Sequence, residues 1–114
     1  MSECLFCKII NGEIPSTKVY EDDKILAFKD INPLAPVHVL IIPKIHLDSV
    51  HDVKEEHIQL IGYLNSKIGE IAEMLDVDKD GYRVVTNKGD FGGQIVKHLH
   101  YHLLGGRKMQ NELG

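Results

Sequence analysis

The chain has 114 residues, a length that suits one domain with one hydrophobic core. Its 13 basic and 17 acidic side chains leave a net charge of −4 with histidine neutral, which argues against nucleic-acid binding through a broad basic surface. No apolar run is long enough to cross a membrane, and the first residues lack the regions of a secretory signal. Together with the presence of only two cysteines, these features predict a cytoplasmic protein whose residues 1–114 form a single domain.

The first motif in the chain is a pair of cysteines, Cys4 and Cys7, with two residues between them. A redox pair would need a βαβ context, which the surrounding sequence lacks. The thiols could instead pack as small apolar side chains, or form half of a zinc site that histidines complete. Residues 8–14 are predicted to form a short helical turn that ends at Gly12.

Two strands are predicted next, at residues 17–21 and 24–29. Both segments are rich in the β-branched and aromatic side chains that favour strands. Asp22 and Asp23 between them suit a tight turn, so we expect a hairpin.

A loop stiffened by two prolines, at residues 30–36, leads to a third strand at 38–42. This strand is apolar on both faces except at His38, which predicts a central position in the sheet. His38 is either a neighbour of the histidines near the C-terminus or a structural histidine. His46 is either a surface residue or a metal ligand.

The only long helix is predicted to start at Asp52, which has the spacing of a capping box to Glu55. It is predicted to end near residues 75–77. Apolar residues recur in this segment at steps of three and four, which places them on one helix face that packs in the core or in a dimer. This apolar face consists of Ile58, Ile61, Leu64, Ile68, Ile71 and Leu75.

A fourth strand at residues 82–87 leads to a glycine-rich loop at 88–94. Glycine lets backbone N–H groups approach an anion closely, so this loop is a candidate phosphate site, although such loops are also common turns. After the last strand, the polar segment 108–114 is predicted to be a flexible tail.

Residues 98–104 alternate histidine with apolar residues, which predicts a strand with His98, His100 and His102 on one face. Three interpretations are open: a polar strand face, a metal site, and nucleotidyl transfer through the middle histidine. One metal ion cannot easily bind all three, because the outer two lie about 13 Å apart along a strand. A histidine nitrogen can attack phosphorus and form a covalent intermediate.

This stretch resembles the signature of the histidine triad (HIT) family, in which two apolar residues follow three alternating histidines. Residues 4–15, residues 30–46 and the glycines on both sides of the triad also resemble that family, in its purine nucleoside phosphoramidase branch. The resemblance implies an α+β fold, a five-stranded antiparallel sheet with one long helix and a short N-terminal helix. It also implies a homodimer in which two sheets form one continuous sheet of ten strands.

The resemblance implies a hydrolase of purine nucleoside 5′-phosphoramidates, such as AMP-NH2, AMP-lysine or aminoacyl-adenylates. His100 would be the nucleophile that forms a nucleotidyl intermediate, His102 would contact the phosphate and assist the leaving amine, and His98 and His38 would support the imidazoles. Two alternatives remain: a zinc-stabilised nucleotide-binding regulator with negligible turnover, and a dinucleoside polyphosphate hydrolase. The short segment after the triad disfavours the second alternative.

By the same resemblance, the partner is a purine nucleotide such as AMP or GMP, and Asp30 would accept hydrogen bonds from the ribose hydroxyls. The α-phosphate would be held by Asn87, Gly93 and Gln94. The base would be enclosed by Phe6, Ile9, Phe28, Ile31 and Leu40.

The resemblance also implies a structural zinc ion, bound by Cys4, Cys7, His46 and His98. One position departs from the family pattern. Ile95 stands where many members of the branch have serine, so a side-chain donor near the reacting atoms is missing. This departure is expected to change the leaving-group preference or to lower the rate.

Overall fold

A computed structural model describes residues 4–110, so the sequence predictions for residues 1–3 and for the tail at 111–114 lie outside the described residues. The fold is a five-stranded antiparallel sheet with helices on its two faces, which confirms the predicted α+β class. In chain order the elements are α1 (Leu5–Ile10), β1 (Lys18–Glu21), β2 (Ile25–Lys29), β3 (Val37–Pro43), α2 (Ile58–Met74), β4 (Arg83–Val85) and β5 (Tyr101–Gly105).

The strands lie in the order β1-β2-β3-β5-β4, so β3 is central, as predicted. The pairing of β3 with β5 places Leu40 opposite His102. Because residues two apart share a strand face, His38 lies diagonally next to His102 on that same face. The sheet register therefore brings together two histidines that are 64 positions apart in the sequence.

The two faces of the sheet have separate apolar cores. On the α2 side, Val39 and Ile41 pack with buried residues of the long helix, such as Ile71. On the α1 side, Leu40 packs with Phe6 of the short helix. Both faces of β3 are therefore covered, which explains why its sequence lacks a polar face.

The long helix begins later than predicted, at Ile58 rather than at Asp52. Two short 3-10 turns, Val50–Asp52 and Glu55–His57, take the place of its first turns. The extended backbone at Val53 and Lys54 separates these turns and prevents a continuous helix. Among residues 4–110, no helix combines the length and the apolar character needed to cross a membrane.

Three other boundaries differ from the sequence prediction. The short helix begins at Leu5, because the Cys4 side chain caps it by accepting the Cys7 N–H at 3.3 Å. Strand β4 has only three residues. Strand β5 begins at Tyr101, so His98 and His100 precede it, although the alternation between the two faces persists through them.

Candidate active site

The imidazole of His100 is held with one nitrogen ready to act as a nucleophile. Its Nδ1 lies 2.7 Å from the carbonyl oxygen of His98. A carbonyl only accepts hydrogen bonds, so Nδ1 carries the proton of the neutral ring and Nε2 keeps a lone pair. Burial lowers the pKa of His100, although the His98 carbonyl and Asp30 act in the opposite direction. The lowered pKa favours the neutral, nucleophilic form of the ring.

A chain of hydrogen bonds sets the protonation of His102. The N–H of Leu34 donates to His38 Nδ1 at 3.0 Å, so the proton of neutral His38 is on Nε2. That nitrogen lies 2.9 Å from His102 Nδ1 and 3.4 Å from Asp30 Oδ2. His102 Nδ1 therefore accepts, and its own proton is on Nε2, where it can be donated to a substrate.

Burial also lowers the pKa values of these two histidines. The pKa of His102 is lowered to about 4, mainly by burial and further by the neighbouring His100 and His38. Burial lowers the pKa of His38 as well, against the opposing charge of Asp30. In the free protein near neutral pH, all three rings are therefore neutral, and the hydrogen bonds fix their tautomers.

These depressed pKa values predict that the protein loses stability in mild acid. An unfolded histidine binds a proton near pH 6.5, whereas His102 binds one near pH 4 in the folded state. The unfolded state therefore binds more protons between these values, so the contribution of these histidines to the free energy of unfolding is constant above about pH 7 and falls from about pH 6.5 to pH 4. Thermal unfolding across this range measures the effect. The His102→Gln variant should show a shallower decline, and an equal slope in both proteins would contradict the assignment.

An open cavity of about 360 Å³ lies beside the histidines, and we call it the nucleoside cavity after the ligand expected from the sequence. His100 and His102 line it together with Asp30. Phe6 packs edge-on against His100 with ring centroids 5.1 Å apart, which ties the apolar wall to the histidines. The structure brings all five apolar residues predicted to enclose a base into this cavity: Phe6, Ile9, Phe28, Ile31 and Leu40.

The glycine-rich loop is held by its own hydrogen bonds. The N–H of Gly93 donates to Asp90 O at 3.1 Å, and the N–H of Gln94 donates to Gly89 O at 3.0 Å. The Gln94 side chain accepts the Gly89 N–H at 2.9 Å and donates to Asp48 O at 2.6 Å. Gln94 thus stabilises the loop through its side chain, and its part in holding a phosphate stays a prediction.

Asn87 remains available to a phosphate. Its Nδ2 donates one hydrogen to Gly92 O at 2.7 Å, and a side-chain amide has a second hydrogen to donate. The loop turns tightly at this point, since a Cβ on Gly92 would collide with the backbone oxygen of Lys88. Gly92 therefore allows the close approach that positions the Asn87 amide.

A second open cavity, of about 540 Å³, is also lined by His102, and we call it the distal cavity. Asn87 and His38 line it, but His100 does not. The two cavities share three lining residues: Gly93, Ile95 and His102. A substrate whose phosphorus lies near His102 can therefore extend into both.

Ser16 lines the nucleoside cavity but has no signal in the sequence as a binding residue, because its Pro-Ser context predicts only a chain break. Its Oγ is buried and, within residues 4–110, is the one such side-chain atom without a hydrogen-bond partner. Ile95, which the family pattern placed near the reacting atoms, is 93% exposed and lines both cavities.

The four predicted metal ligands form one cluster, whose ligand atoms all lie within 4.8 Å of one another. His98 Nδ1 lies 3.4 Å from Cys4 Sγ and 3.6 Å from Cys7 Sγ, and His46 Nδ1 lies 3.4 Å from Cys7 Sγ. Zinc–sulfur bonds of about 2.3 Å and zinc–nitrogen bonds of about 2.0–2.1 Å at a tetrahedral angle place sulfur and nitrogen about 3.6 Å apart. The donor set and its spacing therefore fit a structural zinc ion.

The outer hydrogen bonds of the two cluster histidines also suit a metal. His98 Nε2 lies 2.9 Å from Pro43 O, which places the proton there and leaves the Nδ1 lone pair facing the thiols. His46 Nε2 lies 2.8 Å from Asp48 Oδ1, with the same result. Both rings are thus prepared to bind through Nδ1.

Comparison with known proteins identifies the family. A family model described as the HIT domain matches residues 11–109. The chain belongs to the HIT family. The purine nucleoside phosphoramidase of Escherichia coli strain K12 is 50% identical over 107 residues, which cover 94% of this chain and 90% of that protein. The 14 kDa zinc-binding protein of Zea mays is 53% identical over 110 residues, which cover 95% and 85% of the two chains.

The fold of this HIT protein has a close match among solved structures. A HIT family hydrolase from Clostridium thermocellum superposes with a TM-score of 0.95 at 49% identity, covering 99% of this chain and 98% of that chain. Within the HIT domain described here, His98 belongs to two groups at once. Its imidazole lies in the cysteine cluster, while its carbonyl oxygen orients His100.

Proposed function

We propose that this HIT protein hydrolyses purine nucleoside 5′-phosphoramidates through a nucleotidyl intermediate on His100. The observation that carries the proposal is the protonation pattern of the two cavity histidines. His100 presents a lone pair on Nε2, and His102 presents a proton on Nε2, beside a cavity able to hold a nucleoside. The 50% identity to a protein named purine nucleoside phosphoramidase supports the same chemistry.

The nucleoside would occupy the nucleoside cavity, with the base among its apolar residues and the ribose hydroxyls near Asp30. His100 Nε2 attacks phosphorus, and the bond between phosphorus and the amine nitrogen breaks. His102 Nε2 donates a hydrogen bond to the departing nitrogen, which takes up a proton from solvent as the bond breaks and leaves as a neutral amine. The positive charge that His100 gains is balanced by the anionic phosphoryl group, and the His98 carbonyl stabilises the charged ring.

Water completes the cycle. It attacks the phosphorus of the nucleotidyl-His100, loses a proton to solvent, and breaks the bond between phosphorus and His100, whose ring becomes neutral again. The products are the nucleoside monophosphate and the free enzyme. Asn87 is proposed to donate its remaining amide hydrogen to a phosphoryl oxygen.

We also propose that Cys4, Cys7, His46 and His98 bind a structural zinc ion, which would hold α1 against the sheet. The sulfur–nitrogen distances and the name of the maize relative support this assignment. A homodimer through β4 is proposed as well, because β4 is an edge strand and Val84 on it is exposed. The proposal includes AMP or GMP as the nucleotide, a single domain in residues 1–114 and a cytoplasmic location.

The decisive assay measures release of AMP from AMP-NH2 and AMP-lysine by the purified protein. We expect turnover of both, with slower or no hydrolysis of a diadenosine polyphosphate. Preferred cleavage of the diadenosine compound would instead assign the polyphosphate hydrolase activity. AMP binding in calorimetry without release of product from any phosphoramidate would assign the regulator and overturn the proposal.

A further inference from the structure

The distal cavity lies outside the site proposed for the nucleoside, and it shares His102 with the proposed reaction centre. His102 lines both cavities, whereas His100 lines only the nucleoside cavity. In an in-line displacement the leaving group departs on the side opposite the nucleophile. A phosphoramidate with its nucleoside among the apolar residues and its phosphorus near His102 would therefore extend its amine into the distal cavity.

We propose that the distal cavity binds the leaving group of the substrate and that Ile95 selects amines with an apolar chain over amines whose chain ends in a positive charge. This inference rests on the proposed phosphoramidase function and names the substrate class more narrowly.

The apolar lining of the distal cavity supports this selectivity. Ile95 is 93% exposed and Leu34 is 71% exposed within one protomer, so neither side chain is buried by its own chain. Leu104 and Met109 complete an apolar wall. Removal of such a surface from water by an alkyl chain is favourable in proportion to the area buried.

The charges around the distal cavity disfavour a cationic leaving group. Within residues 4–110, its lining contains no aspartate or glutamate that could pair with an ammonium group. Arg83 and Arg107 are the charged residues of the lining, and Arg107 Nη2 donates to Leu34 O at 2.8 Å, which positions Leu34. An ammonium group that entered the cavity would lose water without gaining a carboxylate partner.

The test compares two AMP phosphoramidates of equal chain length, one of n-hexylamine and one of 1,5-diaminopentane. They differ at the chain end, which is a methyl group in the first and an ammonium group in the second. We expect kcat/KM of the wild-type protein to be about tenfold higher for the hexyl compound, equivalent to about 1.4 kcal/mol. Ile95→Ser should reduce this ratio at least about threefold, while Ile95→Val should keep most of it.

A matched control is Ile58→Ser, which replaces an exposed isoleucine on α2 that lines neither cavity. It should leave the ratio unchanged. A wild-type ratio near one, or an equal ratio in wild type and Ile95→Ser, would overturn the inference.

A binding measurement separates this inference from the proposed activity. If AMP-NH2 is not hydrolysed, the proposed function fails, and calorimetry with the n-hexyl and 5-ammoniopentyl monoesters of AMP still tests the distal cavity. Tighter binding of the hexyl ester, lost in Ile95→Ser, would support a selective apolar site. Equal affinities would contradict it.

Discussion

His100→Ala is expected to abolish phosphoramidate hydrolysis, with a fall in kcat of about 10⁴-fold or more, the order seen when a covalent nucleophile is removed. The physical reason is that the structure holds His100 Nε2 unprotonated beside the nucleoside cavity. Steady-state release of AMP from AMP-NH2 measures the loss. Rapid quenching of the wild-type protein in alkaline denaturant, in which a phosphorus–nitrogen bond to histidine survives, should also reveal a species heavier by one adenylyl group, which the variant lacks.

Two comparisons make this result interpretable. His51→Ala replaces an exposed histidine of a 3-10 turn that lines neither cavity, and it should keep wild-type activity. AMP affinity of His100→Ala, measured by calorimetry, should stay within about tenfold of wild type if the fold is intact. Turnover in His100→Ala equal to that of the wild type would refute the nucleophile assignment.

The double variant Cys4→Ser, Cys7→Ser is expected to lose about one zinc ion per chain and to unfold more easily. A ligand present at 100 to 1,000 times its dissociation constant stabilises the folded state by about 3–4 kcal/mol. For a domain of this size, that corresponds to a fall of roughly 10 °C or more in the unfolding midpoint. Elemental analysis and thermal unfolding check the two effects.

A chelator provides the control for the cysteine variant. It should lower the unfolding midpoint of the wild-type protein to that of the double variant and leave the variant itself unchanged. Freshly purified wild-type protein without zinc would show that the cluster serves some other purpose, such as packing of the thiols against α1.

The difference between the two histidine environments explains why one short segment can serve two sites. His98 Nδ1 faces the thiols, whereas His100 and His102 face the cavities. The sequence predicted that one ion could not bind all three, because alternate strand residues are too far apart. The structure agrees, since a second set of possible ligands, Asp30, His38 and His102, lies apart from the cysteine cluster.

The five-stranded antiparallel sheet was predicted only through the family resemblance. The sequence by itself determined the strands, the central position of β3 and the face on which the three histidines lie. These features follow from local periodicity, because an alternating segment with one buried face cannot shift by one residue without exposing Leu99 and Leu103. The apolar residues of the nucleoside cavity were predicted only through the family resemblance. No pattern in their own neighbourhood distinguishes them from ordinary core residues.

The tertiary structure alone decided the tautomers, the hydrogen bonds of Gln94 and the position of Ile95 in the lining of two cavities. Each depends on contacts between segments far apart in the chain, such as the Leu34 N–H on His38 and the Asp48 carbonyl on Gln94. The helix α2 starts late because the backbone at residues 53–54 is extended, and the capping pattern in the sequence did not reveal this local feature. A hydrogen bond fixes the position of a proton only when both its donor and its acceptor are in place. Only the folded structure therefore shows which nitrogen of each histidine carries the proton.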